Sequence, residues 1–323
     1  MVAVLMVTYN HETYIEEAIE GVMSQQTDYP IKLIIGDDAS TDNTSAIIAR
    51  LAEKYKGRIL HILNSENLGM LRNFANIYSK ANAPYIALCD GDDYWCDAHK
   101  LQMQLDFLEA NPDFAICFHE VYEKRDEVIL SNLVKSENEN TFSIQELSKK
   151  NLINTCSVVL RKSALPPGFP DNDFLNLPAG DYPIYMHAAK NGKLKYLPNA
   201  MAVYRRHGEG AWSGLNAVAK TEKWLIVLEY LIRNSFDLQV REGILSQLDS
   251  CRDSILAILL NGRKRDAFLK KFAIYSKESP VIKSKWLKKY YSVYAAKILS
   301  SFTYKIRKGI KLVNHRLKRV IKA

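Results

Sequence analysis

Short apolar runs and amphipathic stretches alternate along the first ninety or so positions of the chain. Met1 to Thr8 is almost continuously apolar, the pattern of a strand buried on both faces of a parallel sheet. His11 to Gln26 then carries Ile15, Ala18, Ile19, Val22 and Met23 at three-and-four spacing, which predicts a helix with one buried side. Ile31 to Gly36 reads as a second strand. Asp42 to Tyr55 reads as a helix opened by the cap-forming cluster Ser40, Thr41 and Asp42. Arg58 to Leu63 and Leu71 to Ala81 supply a third strand and a third helix, and Tyr85 to Cys89 a fourth strand. This alternation predicts an α/β fold: a mainly parallel sheet with right-handed crossovers and helices on both faces.

After Asn111 the pattern loosens. Phe114 to Tyr122 and Thr155 to Arg161 have strand composition, 135–140 reads as an exposed connection, and Pro166 to Pro178 is a loop rich in Pro and Asp. Tyr182 to Lys190 reads as a short helix, and Leu194 to Leu197 and Met201 to Arg205 as two short strands. From Asn216 onward the periodicity is helical, as in Thr221 to Asn234 and Ile244 to Leu260, so a boundary is expected near Leu215 with domains at 1–215 and 216–323.

The fourth strand breaks abruptly into Asp90, Gly91, Asp92 and Asp93. Carboxylates this close repel and raise one another's pKa, whereas a hard divalent ion draws them together. The alternative is an acidic turn in which Asp and Gly serve tight backbone geometry. Thr8-Tyr9-Asn10 and Asp37-Asp38-Ala39-Ser40 follow the first and second strands. Ligands in such sheets bind beyond the carboxyl ends of the strands, so all three loops are expected to open onto one crevice.

Composition narrows the class. The 323 residues are 47% hydrophobic and 25% charged, typical of a globular protein with ample core material. Five cysteines, odd in number and widely spaced, read as buried thiols of a reducing compartment with no zinc spacing. No basic leader precedes the first apolar run and no apolar stretch approaches bilayer length, so a cytoplasmic location is expected. The net charge of +8 is uneven: thirteen Lys or Arg and no Asp or Glu fall between Ser279 and Ala323, and subtracting them leaves −5 for the rest.

The ordered set VTYN, IIGDDAST, NLG with Arg72 shortly after, ALCDGDDYW, GD before a helix, and VYRRH resembles the family 2 glycosyltransferases of GT-A fold over roughly the first 215 residues. Neither a GxGxxG fingerprint nor a P-loop is present, and the processive-synthase signature QxxRW is absent. The resemblance implies transfer of a sugar from a nucleotide diphosphate sugar, a UDP-sugar being favoured, with a magnesium or manganese ion neutralising the leaving diphosphate. It implies Asp92 as first metal ligand, Asp90 on a ribose hydroxyl or the metal, Asp93 orienting its neighbours, and His207 as a further metal ligand. Thr8, Tyr9 and Asn10 would border base and ribose together with Gly91, Asp38 would accept from a base N–H, and Arg72 would meet the diphosphate. The plainer readings are a packing Tyr9, a helix-capping Asp37-Asp38 turn, a solvated Arg72 and a surface or packing His207.

Asp181 is the candidate general base of an inverting transfer, with Asp171 and Asp173 as fallbacks and a helix N-cap as its plainer role. The resembled family commonly has an acidic residue before this Asp, where this chain has Gly180. The segment GEGAWSG, with Gly208, Gly210 and Gly214, reads as a lid over the donor.

In the basic tail, Ile298, Phe302, Ile306, Ile310, Val313, Leu317 and Val320 recur at three or four residues among Lys and Arg. An anionic membrane surface at the inner face of the cell membrane is the leading partner, ahead of another protein, with nucleic acid last. The expected acceptor is a growing surface polysaccharide or a lipid-linked glycan. Competing functions are a sugar nucleotidyltransferase, which needs a Gly-rich basic segment after the first strand, and a non-catalytic nucleotide-sugar binding scaffold.

Overall fold

The computed structural model describes residues 1–125, the backbone of 128–132, and residues 140–208, 215–234, 236–262 and 264–287. The expected connection at 135–139, the lid positions 209–214 and the tail beyond 287 lie outside the described residues. The strands are β1 Val2–Thr8, β2 Ile31–Asp37, β3 Ile59–Leu63, β4 Tyr85–Leu88, β5 Tyr94–Trp95, β6 Phe114–Arg125, β7 Val128–Asn132, β8 Thr141–Phe142, β9 Val159–Arg161 and β10 Lys193–Arg205. The helices are α1 Ile15–Met23, α2 Thr44–Lys54, α3 Met70–Ser79, α4 Lys100–Ala110, α5 Ile144–Leu147, α6 Asp181–Ala188, α7 Ala217–Arg233, α8 Leu238–Asn261 and α9 Arg265–Glu278.

The strands form one sheet in the order β3-β2-β1-β4-β9-β6-β10-β5, with β7 beside β6 and β8 beside β10. β1 pairs in parallel with β2 and β4, and β2 with β3, which is the crossover half expected from the periodicity. β9 enters antiparallel to both β4 and β6, β10 returns parallel to β6, and β5 closes the far edge antiparallel to β10. α1 buries Ile15, Ala18, Ile19, Val22 and Met23, the five residues its spacing selects. They pack with Val4, Met6, Leu33 and Ile35 in the central core.

Two elements depart from the sequence reading. Thr155 to Ser157 is a 3-10 turn, leaving only Val159–Arg161 as strand, because Ser157 turns back on Asn154: its backbone N–H and its hydroxyl both donate to the Asn154 carbonyl, at 2.9 and 2.7 Å. The two short strands expected at 194–197 and 201–205 are a single β10, whose register against β6 shifts between Leu197 and Ala200 and again before Ala202. Pro198 lies in that interval, and a residue with no N–H to give the ladder is accommodated by such an irregularity.

The chain divides into two compact units, Met1–Leu248 and the residues from Asp249 on. The first therefore continues past the boundary expected near Leu215. α7 explains this, since it buries Leu225, Val227, Leu228, Tyr230 and Leu231. Trp224 stacks on Tyr182 of α6 with centroids 5.2 Å apart, and the Tyr230 hydroxyl lies 3.0 Å from His187 Nε2. In the second unit, Arg252 pairs with Glu278 and Asp249, and Phe268 packs on Trp286. Among the described residues, no helix is long and apolar enough to cross a membrane.

Behind the end of β4 lies a fully buried lysine, Lys100, at the start of α4. Its Nζ sits 4.0 Å from the centroid of the Trp95 ring and donates to Gln104 Oε1 at 2.8 Å. Gln104 in turn donates to the carbonyls of Cys117 and Ser157, so the amine is tied to β5, β6 and the turn before β9. Burial pushes its pKa down to about 7, against a partial opposing effect from Cys89, Cys156 and Cys117. Above pH 7 the unfolded lysine still holds a proton that the folded one releases, so this residue's contribution to stability rises with pH up to its unfolded value. Denaturant unfolding of the parent and Lys100→Met between pH 7 and 8.5 should show their stability difference changing in favour of the parent with a slope that rises from about 0.7 to about 1.4 kcal/mol per pH unit. A pH-independent difference would place the lysine's proton affinity elsewhere.

Candidate active site

The three polar loops converge as expected. The β1–β4 ladder continues beyond β4, with Cys89 N–H on the Leu5 carbonyl at 3.1 Å and Gly91 N–H on the Val7 carbonyl at 2.9 Å. That sets the acidic turn beside Thr8. A Cβ on Gly91 would come within 2.6 Å of Thr8 Oγ1 and 3.0 Å of His11 Nδ1, so only glycine fits there. The loop after β2 is stitched to the same place: Asp38 N–H donates to the Thr8 carbonyl, Asn10 N–H to Ser40 Oγ, Thr41 N–H to Asn10 Oδ1 and His11 N–H to Thr44 Oγ1. Asn10 and Ala39 both adopt left-handed backbone, at φ 55° and 61°, a costly conformation for alanine that this network holds in place. Tyr9 stands at the mouth, 42% exposed.

The acidic turn is closed by Asp93 N–H on the Asp90 carbonyl, and the chain leaves it as β5. β5 pairs antiparallel with β10, Tyr94 opposite Val203 and Trp95 opposite Ala202, and continuing that register sets Arg205 opposite Asp92. Arg205 N–H donates to Asp93 Oδ1 at 2.9 Å, Nη1 donates to the Asp92 carbonyl at 2.6 Å, and Nη2 pairs with Glu17. The guanidinium also lies over the rings of Tyr94 and Tyr14, at 4.4 and 5.1 Å. Two residues on, His207 Nε2 reaches Asp92 Oδ2 at 3.0 Å.

The electrostatics separate the carboxylates. Burial pushes Asp90 up to about 8, helped by the negative charges of Asp92 and Asp181, which places Asp181 in the same field. Burial and then Asp92 drive Asp93 well above the carboxylate range. Burial also works against ionisation of Asp92, but the His207 hydrogen bond and the neighbouring His11 hold it below its ordinary value. Asp181 is raised by burial, while Asn151 Nδ2 donates to its Oδ2 at 3.2 Å. A cation at this point would reverse the shift of Asp90 and relieve the repulsion.

Other expected site residues are placed as follows. Asp38 accepts from Asn64 Nδ2, Leu68 N–H and Gly69 N–H, so its carboxylate shapes the loop leading into α3. Asp37 is fully buried and accepts from Ser40 N–H and the Ser45 hydroxyl. Burial opposes its ionisation, but these bonds and His61 bring it down to about 2. Arg72 is exposed on α3 and donates to Asn176 Oδ1 at 3.2 Å. Asp181 is the first residue of α6, and Gly180 occupies the cap position. His11, Tyr14, Glu17 and Asn151 belong to the site but were not singled out from the sequence. Only the position of His11 directly after TYN, with Tyr14 and Glu17 following at intervals of three, could have signalled the first three.

Among the described residues, no three His, Cys, Asp or Glu side chains already surround a common point as a finished metal cage. Magnesium and manganese do not need one, since such ions are held by one or two protein groups and complete their shell with substrate phosphates and water. Asp92 and His207, an oxygen and a nitrogen donor 3.0 Å apart beside the charge-crowded Asp90, fit that demand.

The sequence profile described as Glycosyl transferase family 2 matches residues 3–165. The chain belongs to that family. The uncharacterized protein Rv1520 of Mycobacterium tuberculosis is 39% identical over 220 residues, 65% of this chain and 60% of that relative's length. The Escherichia coli protein named UDP-Glc:alpha-D-GlcNAc-diphosphoundecaprenol beta-1,3-glucosyltransferase WfaP is 34% identical over 131 residues, 40% of this chain and 49% of its own. The crystal structure of S. aureus TarS 1-349 in complex with UDP-GlcNAc superposes with a TM-score of 0.66 at 16% identity, covering 88% of this chain and 83% of that one, so the two share the GT-A fold. For this family 2 chain, the mixed, mainly parallel sheet flanked by helices is the architecture that its sequence resemblance implied.

The glycine before Asp181 has a steric cause. A Cβ on Gly180 would lie 2.5 Å from Leu71 Cδ2 and 2.7 Å from Phe174 Cζ, so an acidic side chain there must push these two buried side chains aside between α3 and the loop before α6. Gly180→Glu is expected to lower stability by about 1–3 kcal/mol through overpacking. Thermal unfolding checks this, and a variant as stable as the parent would show that the wall yields.

Proposed function

We propose that the chain is a metal-dependent, inverting glycosyltransferase that moves a sugar from a nucleotide diphosphate sugar, a UDP-sugar being favoured, to a hydroxyl of a glycan or lipid-linked acceptor in surface polysaccharide biosynthesis. The observation that carries this is the contact of Asp92 with His207 beside the buried Asp90 at the carboxyl end of the sheet, next to the loops after β1 and β2, with Asp181 close enough to raise the proton affinity of Asp90. The name of WfaP, with its UDP-glucose donor and diphosphoundecaprenol-linked acceptor, and the UDP-GlcNAc bound by TarS support the donor and acceptor classes.

In this reading Thr8, Tyr9 and Asn10 border the base and ribose with Gly91, the only residue that fits beside Thr8. Asp38 shapes the adjoining wall through residues 68 and 69, and a remaining lone pair meets a base N–H. Arg72 faces the diphosphate from α3. Asp92 and His207 would hold the cation, and Asp90 would serve it or a ribose hydroxyl. A bound magnesium or manganese ion supplies Lewis-acid neutralisation of the charge that develops on the leaving diphosphate. Asp181 acts as general base. Burial raises its proton affinity toward that of a useful base, and Asn151 fixes one carboxylate oxygen while the other meets the acceptor hydroxyl. The basic tail attaches the enzyme to an anionic membrane surface where such acceptors are assembled.

Two variants and a donor panel test the reading. Asp181→Asn is expected to keep donor binding while kcat falls about 10²–10⁴-fold, the usual share of general-base catalysis. Undiminished turnover would move the base to Asp171 or Asp173. Asp92→Ala should abolish manganese-dependent donor hydrolysis across a panel of nucleotide sugars, and activity equal to the parent would remove the metal from the mechanism.

A further inference from the structure

Resting on the reading of Asp92 and His207 as the cation-holding pair, we propose that Tyr14 and Glu17, acting with Arg205, form a positioning clamp for the His207 imidazole and thereby set the affinity for the cation. His11, Tyr14 and Glu17 recur every three residues through the turn that opens α1, so they share one side of it. That side faces the chain returning from β10. Tyr14 lies against the His207 ring with centroids 4.8 Å apart and planes tilted by 40°, and His11 meets the same ring edge-on at 6.3 Å. Glu17 holds the Arg205 guanidinium, which lies over the Tyr14 and Tyr94 rings.

Each contact fixes a different freedom of His207. Arg205 is anchored through its backbone to Asp93 and through Nη1 to the Asp92 carbonyl, and one residue separates it from His207. The starting point of the imidazole is thus tied to the acidic turn. That intervening residue, Arg206, is held from the other side by Glu123. The Tyr14 ring then limits rotation of the imidazole and leaves Nε2 directed at Asp92 Oδ2. The three clamp residues touch neither the cation nor the sugar in this assignment; they act through His207. A metal site whose ligands are pre-oriented loses less side-chain freedom on binding, so loosening the clamp weakens affinity without removing a ligand.

The test is manganese affinity of the full chain, measured with manganese alone by loss of the free-ion EPR signal. Tyr14→Ala and Glu17→Gln should each weaken binding about tenfold, Tyr14→Phe should restore it, and turnover of Tyr14→Ala should recover at high manganese. In a His207→Ala background, Tyr14→Ala should cost nothing further. An equal loss in both backgrounds, or parental affinity in Tyr14→Ala and Glu17→Gln, would overturn the clamp while leaving the metal site standing. Parental affinity in both His207→Ala and Asp92→Ala would instead overturn the metal reading on which the clamp rests.

Discussion

Carboxylates crowded at the end of a buried strand repel one another, and much of the surrounding structure answers that repulsion. Asp90, Asp92, Asp93 and Asp181 lie in one field, and burial makes each costly to ionise. The protein relieves the crowding unevenly. Asp93 is hydrogen-bonded by the Arg205 backbone, Asp181 by Asn151, and Asp92 by His207, whereas Asp90 is left with a proton affinity near neutrality. The residual demand for positive charge is local, and it lies where polar loops from two other strands are already hydrogen-bonded together.

That division of labour depends on the change of strand direction within the sheet. The parallel half, β3-β2-β1-β4, carries the polar loops that meet beside the acidic turn. The half that follows brings β10 back against β5, and with it the guanidinium and imidazole that the acidic turn lacks. Arg205 belongs to both functions. Its charge compensates the turn and its stacking ties α1 to β10, so electrostatic balance and geometry come from one side chain.

The first half of the fold was legible in the sequence because its signals are local. Apolar runs of strand length and a strict helical period fix β1 to β4 and α1 to α3 to within a few residues, and the polar loops after β1, β2 and β4 were expected at one place, whereas His207 entered only through the family resemblance. Legibility failed where a particular hydrogen bond or a distant partner, rather than the apolar pattern, decides the outcome. Thr155 to Ser157 has strand composition, but the Asn154 carbonyl captures it as a turn. Pro198 looks like a break, yet β6 carries β10 across it with a shift of register. Tyr14 and Glu17 read as an ordinary helix start until β10 arrives, and the reason for Gly180 lies in Leu71 and Phe174.

The pairing of Arg205 with Asp93 joins residues 112 positions apart. Closing a loop of that length is entropically costly and comes late when nearer contacts can form first. The parallel half can therefore assemble around its own core while the acidic turn is still uncompensated. Charge compensation of the acidic turn then waits on the insertion of β10 between β6 and β5, and a chain emerging from synthesis acquires it only once residues beyond 205 are available. Charge compensation of the acidic turn is thus a long-range property of the first compact unit.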